Sequence, residues 1–217
     1  MFKRNQFLKF KMGSLTVIFG PMFSGKTTRL VQELTRFVDV TSESHSTKCL
    51  LINHIFDDRN PEVGVSSHGS SFKGVSDLID ITQTAKLGTV DYKKYNVIGI
   101  DEGQFFEDLE IVQQWVNEDK NVIISGLISD SFMKPFGKIY TLIPFSDNVI
   151  QCHAICSECL IYYGKVITPD ALSAMKAAFT YRLDSSNSQI SIGASDKYVP
   201  VCRHHYNLFK IKDDAKI

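Results

Sequence analysis

A glycine-rich segment near the start of the chain has the spacing of a phosphate-binding loop. Residues 20–27 read GPMFSGKT and match the pattern G-x-x-x-x-G-K-[ST]. In this pattern the backbone turns its N–H groups inward on phosphate oxygens, Lys26 adds a mobile positive charge, and the Thr27 hydroxyl can ligate Mg²⁺. The predicted ATP contacts in this loop are Gly20, Pro21, Met22, Phe23, Ser24, Gly25, Lys26 and Thr27.

Two carboxylates follow the apolar run VIGI at residues 97–100. P-loop enzymes need an acidic residue at such a strand end, near the metal that bridges the phosphates. Asp101 fits this position and, with Thr27, is a predicted magnesium contact. Glu102 could accept a proton from an attacking hydroxyl or position a water for hydrolysis. Without the phosphate loop, two acids after a strand would equally fit a solvated turn.

Cysteine and histidine residues in the last third of the chain have the spacing of a zinc site. The segments CSEC at 156–159 and CRHH at 202–205 form C-x₂-C…C-x₂-H. Two tight turns that each present two ligands are typical of tetrahedral zinc, and four filled positions indicate a structural ion. The predicted ligands are Cys156, Cys159, Cys202 and His205. Cys49 and Cys152 lack a partner at ligand spacing and are predicted to be core residues.

The composition argues against nucleic acid and membrane partners. Lys and Arg number 24 and Asp and Glu also number 24, whereas a protein that follows a nucleic acid backbone usually has a basic excess. No apolar run approaches the roughly 20 residues that span a bilayer, and residues 1–11 lack the apolar core of a signal peptide. Five cysteines fit a reducing compartment. We therefore expect a cytoplasmic protein without nucleic acid or membrane partners.

These motifs must be positioned by an alternation of strands and helices. Apolar runs at 15–19, 48–53, 96–100 and 121–126 predict strands, and apolar residues at helical spacing predict helices at 26–38 and 106–118. Nearly continuous Val/Ile/Leu strands separated by helices predict an α/β fold, with a parallel sheet covered on both faces. The character of the sequence changes after Pro144. We predict an N-terminal arm at 1–13, an ATP-binding domain at 14–149, a zinc-binding domain at 150–210 and a tail at 211–217.

Three segments in this order resemble the type II thymidine kinases, the cellular and poxviral group. They are residues 20–28 (GPMFSGKTT), residues 101–106 (DEGQFF), and residues 196–206 (DKYVPVCRHHY) with the cysteine pair upstream. The resemblance implies a RecA-like ATP domain and a small zinc domain whose lasso loop closes over thymine. It also implies ATP-dependent phosphorylation of thymidine and deoxyuridine, with Mg²⁺, structural Zn²⁺ and a homotetramer.

The same resemblance implies residue roles. Glu102 takes the position of the general base for the nucleoside 5′-hydroxyl. Further nucleotide contacts would be Asp57, Asp58, Arg59, Asp101, Gly103 and Gln104. The nucleoside pocket and lasso would be formed by Phe105, Phe132, Thr180, Gln189, Ile190, Ser191, Ile192, Gly193 and Tyr198.

This chain departs from the family pattern in two places. Ser131 stands where family members usually have an aromatic residue, so that role is assigned to Phe132, one position later. The interval from Cys159 to Thr180 is longer than usual. Within it, Pro169 and the following residues, up to ALSAMKAAF at 171–179, predict an additional helix.

Two other functions fit the motifs taken alone. One is a P-loop ATPase of nucleic-acid metabolism whose zinc ribbon is an interaction module. The equal numbers of acidic and basic residues count against it, although an arginine finger can come from a partner. The other is a non-catalytic nucleotide-binding protein, which the intact Lys26, Thr27, Asp101 and Glu102 disfavour.

Overall fold

A six-stranded sheet forms the centre of the fold in the computed structural model. The structure describes residues 12–41, 47–56, 66, 67, 70, 71, 79–163, 170, 173, 175–184 and 197–215. The strands are β1 (Ser14–Phe19), β2 (Cys49–His54), β3 (Ser66–Ser67), β4 (Ser70–Ser71), β5 (Ile79–Thr84), β6 (Val97–Ile100), β7 (Asn121–Gly126), β8 (Asn148–Gln151), β9 (Ala154–Ile155), β10 (Lys176–Ala177), β11 (Phe179–Arg182) and β12 (Tyr198–Val201). The helices are α1 (Lys26–Thr41), α2 (Ile111–Asn117), α3 (Ser157–Tyr163) and α4 (Arg203–Asp214).

The sheet has the order β5-β2-β6-β7-β1-β8, and all of its pairings are parallel. Every residue of β2 and β6 is buried, as expected for central strands covered on both faces. The prediction of a parallel α/β fold is confirmed. The edge strands β5 and β8 were not predicted, because at least half of the residues in each are exposed and neither strand is a continuous apolar run.

The two faces of the sheet carry separate cores. On one face, α1 packs Leu30 and Leu34 against the sheet, and Gly99 of β6 makes room for it. A Cβ atom at Gly99 would lie 2.7 Å from the Leu34 side chain. On the other face, Trp115 of α2 is fully buried in a cluster with Ile98 and Ile100. Burial of one such side chain contributes about 1.5–3 kcal/mol, so the apolar strand residues fix the position of both helices.

The helix predicted at 106–118 is shorter than expected. It begins at Ile111, because the preceding residues are held in another conformation. The Asp108 carboxylate accepts the backbone N–H groups of Leu87 at 3.2 Å and Gly88 at 2.9 Å. These bonds tie the segment to a 3₁₀ turn at Leu87–Thr89 and compete with the first turn of a longer helix.

A smaller layer lies C-terminal to the sheet. Strands β9 and β10 pair antiparallel, as do β11 and β12, and α4 packs on them around a third core that includes Val201 and Tyr206. The boundary predicted between residues 149 and 150 lies inside β8, and the domain limits remain a prediction. Asp170 and Ser173 are helical, but the predicted helix does not continue through ALSAMKAAF, because residues 176–177 form β10. None of the helices in the described ranges has the length and apolarity needed to cross a membrane.

Candidate functional site

The glycine-rich segment forms the turn between β1 and α1. Strand β1 ends at Phe19 and the helix begins at Lys26, so the predicted phosphate loop lies at a helix N-terminus. Phe23 has a φ angle of 64°. A Cβ atom at Gly20 would lie 2.3 Å from the carbonyl oxygen of Cys152, so this position accepts no larger residue without movement of the backbone. The Lys26 Nζ donates to the carbonyl of Pro21 at 2.8 Å and therefore lies back over the loop.

The two predicted magnesium contacts are hydrogen-bonded to each other. Thr27 Oγ1 donates to Asp101 Oδ2 at 2.8 Å, and both residues are buried. The Ser125 hydroxyl donates to the other oxygen of the same carboxylate. The structure thus brings the start of α1 and the ends of β6 and β7 to one point.

Glu102 lies at the turn that follows β6. It adopts the left-handed conformation, with φ of 51° and ψ of 41°, before a 3₁₀ turn at Gly103–Phe105. Gln104 Nε2 donates to Glu102 Oε2 at 2.6 Å, and Gln104 Oε1 accepts the Leu127 N–H at 2.9 Å. A Cβ atom at Gly126 would lie 2.3 Å from Gln104 Oε1. A glycine at the end of β7 is therefore what allows Gln104 to hold the Glu102 carboxylate in place.

Phe105 belongs to a cluster of rings beside this turn. Its ring centroid lies 5.5 Å from that of His54, 5.8 Å from that of Phe56 and 5.9 Å from that of Phe136. His54 is buried, and its Nδ1 accepts the Phe56 N–H at 3.1 Å. Phe105 itself is half-buried, so part of its ring is open to a ligand.

The segment that carries Phe132 is ordered by a buried carboxylate. Asp130 Oδ1 accepts the N–H groups of Phe132 and Lys134, both at 2.9 Å. The Phe132 side chain is 43% exposed and lies at the surface. The Ser131 carbonyl accepts the hydroxyl of Tyr206 at 2.8 Å.

Thr180 and Tyr198 lie in the hairpin of β11 and β12. Thr180 Oγ1 accepts the Met22 N–H at 2.9 Å, which joins this hairpin directly to the phosphate loop. Tyr198 is buried, and the Arg182 guanidinium lies 5.7 Å from the centre of its ring. The predicted contacts Asp57, Asp58, Arg59, Gln189, Ile190, Ser191, Ile192 and Gly193 lie outside the described residues.

The four predicted zinc ligands converge. The ligand atoms of Cys156, Cys159, Cys202 and His205 all lie within 4.8 Å of one another. His205 Nδ1 lies 3.4, 3.4 and 3.3 Å from the sulfurs of the three cysteines in that order, and the sulfurs of Cys159 and Cys202 are 3.9 Å apart. Zn–S bonds of about 2.3 Å and a Zn–N bond of about 2.0 Å in a tetrahedron require S–S and S–N separations of about 3.8 and about 3.5 Å. The residues present therefore fit a zinc ion.

Comparison with known proteins places the chain in a family. Residues 13–206 match the family described as thymidine kinase. The chain belongs to the thymidine kinase family. It is similar to the cytosolic thymidine kinase of Gallus gallus, at 36% identity over 198 residues that cover 89% of this chain and 77% of the relative. It is 33% identical to the thymidine kinase of Choristoneura fumiferana entomopoxvirus over 89% of this chain and 96% of that protein. It is 34% identical to the cytosolic thymidine kinase of Homo sapiens over 89% of this chain and 73% of that protein.

Membership in the thymidine kinase family establishes the reaction. The chain phosphorylates thymidine for nucleotide salvage, and the use of ATP as phosphoryl donor follows from the family. This confirms the prediction made from the phosphate loop, the DEGQFF segment and the zinc turns.

Four residues that contact the predicted site of this thymidine kinase were not predicted from the sequence. They are Ser125 beside Asp101, His54 beside Phe105, Arg182 beside Tyr198 and Tyr206 beside Ser131. Ser125 and His54 had a detectable signal, because each is a polar residue at the carboxyl end of a central strand, where ligands bind in open α/β sheets. Arg182 and Tyr206 had none, because neither lies at the carboxyl end of a central strand.

His54 should make the stability of the enzyme depend on pH. Burial lowers the pKa of His54 below its usual value, while a hydrogen bond to the Ala85 backbone and the Asp108 carboxylate act in the opposite direction. Below about pH 6.5 the unfolded chain binds a proton at this residue that the folded chain binds less readily, so the free energy of unfolding falls as the pH drops. We expect His54→Asn, whose amide oxygen can still accept the Phe56 N–H, to flatten the decrease in melting temperature between pH 6.5 and 5.

The matched control is His153→Asn, which replaces an exposed histidine and should keep the wild-type pH dependence. Acid release of zinc would act equally on all three proteins. Identical melting curves for wild type and His54→Asn across this range would contradict the assignment.

Proposed function

We propose that Glu102 is the general base for the thymidine 5′-hydroxyl and that Thr27 and Asp101 hold the magnesium of Mg·ATP. The hydrogen bond between Thr27 and Asp101 carries this proposal, because it places the start of the phosphate loop helix against the acidic strand end. Glu102 follows directly, with its carboxylate oriented by Gln104. The carboxyl ends of parallel strands are the usual ligand crevice of open α/β sheets.

The phosphate side of the site is built from the loop at 20–27. Lys26 would exchange the Pro21 carbonyl for phosphate oxygens, and backbone N–H groups at the helix N-terminus would bind the same anion. When bound, Mg²⁺ would neutralise part of the negative charge on the phosphates. We assign the remaining nucleotide contacts to Asp57, Asp58, Arg59, Gly103 and Gln104.

The nucleoside side lies between the turn after β6 and the hairpin of β11 and β12. Phe105 is half-buried in the 3₁₀ turn that follows Glu102, and its ring suits packing against a pyrimidine. Thr180 bonds to the phosphate loop, so the hairpin and ATP site are held together where the two substrates must meet. We assign the other pocket and lasso residues as Phe132, Gln189, Ile190, Ser191, Ile192, Gly193 and Tyr198.

The zinc ion of this proposal is structural. All four ligand positions come from the chain, so no position is left for substrate or water. The ion would pin the starts of α3 and α4, which begin immediately after Cys156 and Cys202. We also propose the division into an ATP-binding domain at 14–149 and a zinc-binding domain at 150–210.

We propose that the enzyme works in the cytoplasm as a homotetramer. The relatives from Gallus gallus and Homo sapiens that are described as cytosolic support the compartment. The resemblance to type II thymidine kinases supports the tetramer, which sedimentation of the purified protein would measure.

Purified protein with Mg·ATP and labelled nucleosides tests the acceptor. We expect thymidine monophosphate as the main product, deoxyuridine monophosphate as a second product, and no product from purine nucleosides, because a pocket closed around a pyrimidine excludes purines by size. Thin-layer or liquid chromatography of the labelled nucleotides would measure this. Formation of no nucleoside monophosphate, together with ATP hydrolysis stimulated by single-stranded DNA, would favour the ATPase alternative instead.

A further inference from the structure

One buried hydroxyl connects the zinc centre with the segment proposed to line the nucleoside pocket. Tyr206 is the residue after the ligand His205, in the first turn of α4, and is only 7% exposed. Its hydroxyl donates to the Ser131 carbonyl at 2.8 Å, across a sequence separation of 75 residues. A buried hydroxyl with a single distant backbone partner fixes the distance between two parts of the chain.

The partner of this hydroxyl is the peptide unit that leads into Phe132. A peptide unit is planar, and this one is held at both of its polar ends. The Tyr206 hydroxyl donates to the carbonyl oxygen of the unit, which belongs to Ser131. The N–H of the unit, which belongs to Phe132, donates to Asp130 Oδ1 at 2.9 Å. The two bonds restrict rotation of the plane and favour one direction for the Phe132 side chain.

Tyr206 is itself held from the opposite side. Its ring lies 5.7 Å from that of Phe179 and 5.4 Å from that of Tyr181, on β11. Its backbone N–H donates to the carbonyl oxygen of Cys202, a residue that is also a predicted zinc ligand, at 2.9 Å. The position of the hydroxyl therefore follows from the zinc turn and from the strand that also carries Thr180.

We propose that Tyr206 is a positioning residue of the nucleoside pocket, which orients the peptide unit between Ser131 and Phe132 and so sets the affinity for thymidine. This inference rests on the proposed function, in which Phe132 contacts the nucleoside. The contacts of Tyr206 described above involve neither the phosphate loop nor the proposed base Glu102, so its effect should fall on thymidine binding and not on phosphoryl transfer.

The test is Tyr206→Phe, which removes only the hydroxyl and keeps the ring in its packing. Loss of one hydrogen bond predicts a rise in the KM for thymidine of about threefold to tenfold, with kcat and the KM for ATP within twofold of wild type. The dissociation constant for thymidine, measured by calorimetry without turnover, should rise by the same factor. Zinc content and melting temperature report whether the fold is kept.

Tyr181→Phe is the matched control. Tyr181 belongs to the same group of rings, but its hydroxyl donates to Asp213 at the far end of α4. This variant should leave the KM for thymidine unchanged. If Tyr181→Phe and Tyr206→Phe raise it equally, or if Tyr206→Phe lowers zinc content and kcat together, the effect is one of folding and the inference is wrong.

Phe132→Ala separates the inference from the proposed function. If Phe132→Ala raises the KM for thymidine and Tyr206→Phe adds nothing in that background, the two residues act as one unit and the inference is supported. If Phe132→Ala raises the KM but Tyr206→Phe does not, only the inference is wrong. If Phe132→Ala leaves the KM unchanged, the proposed pocket role of Phe132 is wrong and the inference falls with it.

Discussion

Replacement of Glu102 by Gln is expected to remove most of the phosphoryl transfer and to leave ATP binding intact. The amide has the shape of the carboxylate but cannot accept the proton of the 5′-hydroxyl, and general base catalysis contributes typically about 10²–10⁴-fold. Gln104 Nε2, which donates to Glu102 Oε2 in the native enzyme, can still donate to the amide oxygen of the variant. The turn should therefore keep its conformation. Steady-state kcat and calorimetric titration with ATP would measure the two effects separately.

Glu110→Gln is the control for this substitution. Glu110 is exposed and immediately precedes α2, so this variant makes the same chemical change away from the site and should have wild-type kcat. A kcat near that of wild type in Glu102→Gln would show that another group takes the proton. A loss of ATP affinity in parallel with kcat would instead assign Glu102 to nucleotide binding.

The central part of the fold could be predicted because strands that are buried on both faces consist mainly of consecutive apolar residues. Strand β6 is a continuous apolar run and β2 begins with one, CLLI, and both strands are buried along their whole length. The edge strand β5 reads IDITQT and buries only Ile79, so its pattern resembles a polar loop. The prediction of where α2 starts was wrong for another reason, since two hydrogen bonds to the Asp108 carboxylate compete with five residues of helical periodicity.

The candidate site also has a part that could be predicted from the sequence and a part that could not. Its motif residues could be predicted because their chemistry fixes both residue type and spacing, and the ligand atoms of the four predicted zinc ligands lie within 4.8 Å of one another. The contacts that orient them depend on tertiary structure. The bond from Gln104 to Glu102 needs the left-handed turn at Glu102 and the space that Gly126 leaves. Neither condition is visible in a pattern of residue types.

Two hydrogen bonds connect the C-terminal layer with segments of the proposed active site. The Met22 N–H donates to Thr180, and the Tyr206 hydroxyl donates to Ser131. Each joins the layer around the zinc ligands to a loop at the carboxyl ends of the sheet. If the layer around the predicted zinc ligands unfolds, the phosphate loop and the segment at Phe132 should therefore each lose a hydrogen bond.

Removal of zinc is expected to unfold the C-terminal layer and abolish activity. Each of Cys156, Cys159 and Cys202 has its sulfur close to His205 Nδ1, and the first two are buried in the core around Val201. Binding of structural zinc contributes about 10–16 kcal/mol in zinc-finger peptides, which is comparable with the total stability of about 5–15 kcal/mol of a typical domain. We expect about one zinc per chain by elemental analysis, and a large loss of melting temperature on chelation that added zinc restores.

Cys202→Ser should reproduce the effect of chelation, because it removes one soft ligand with little change of volume. Cys152→Ser is the matched control, since Cys152 lies outside the ligand cluster and is also a free cysteine, and this variant should keep zinc and most of its stability. Absence of zinc from freshly purified wild-type protein would contradict the prediction of a metal site. A Cys202→Ser variant that melts at the wild-type temperature and phosphorylates thymidine at the wild-type rate would show that the cluster is not needed to hold the hairpin of β11 and β12 against the phosphate loop.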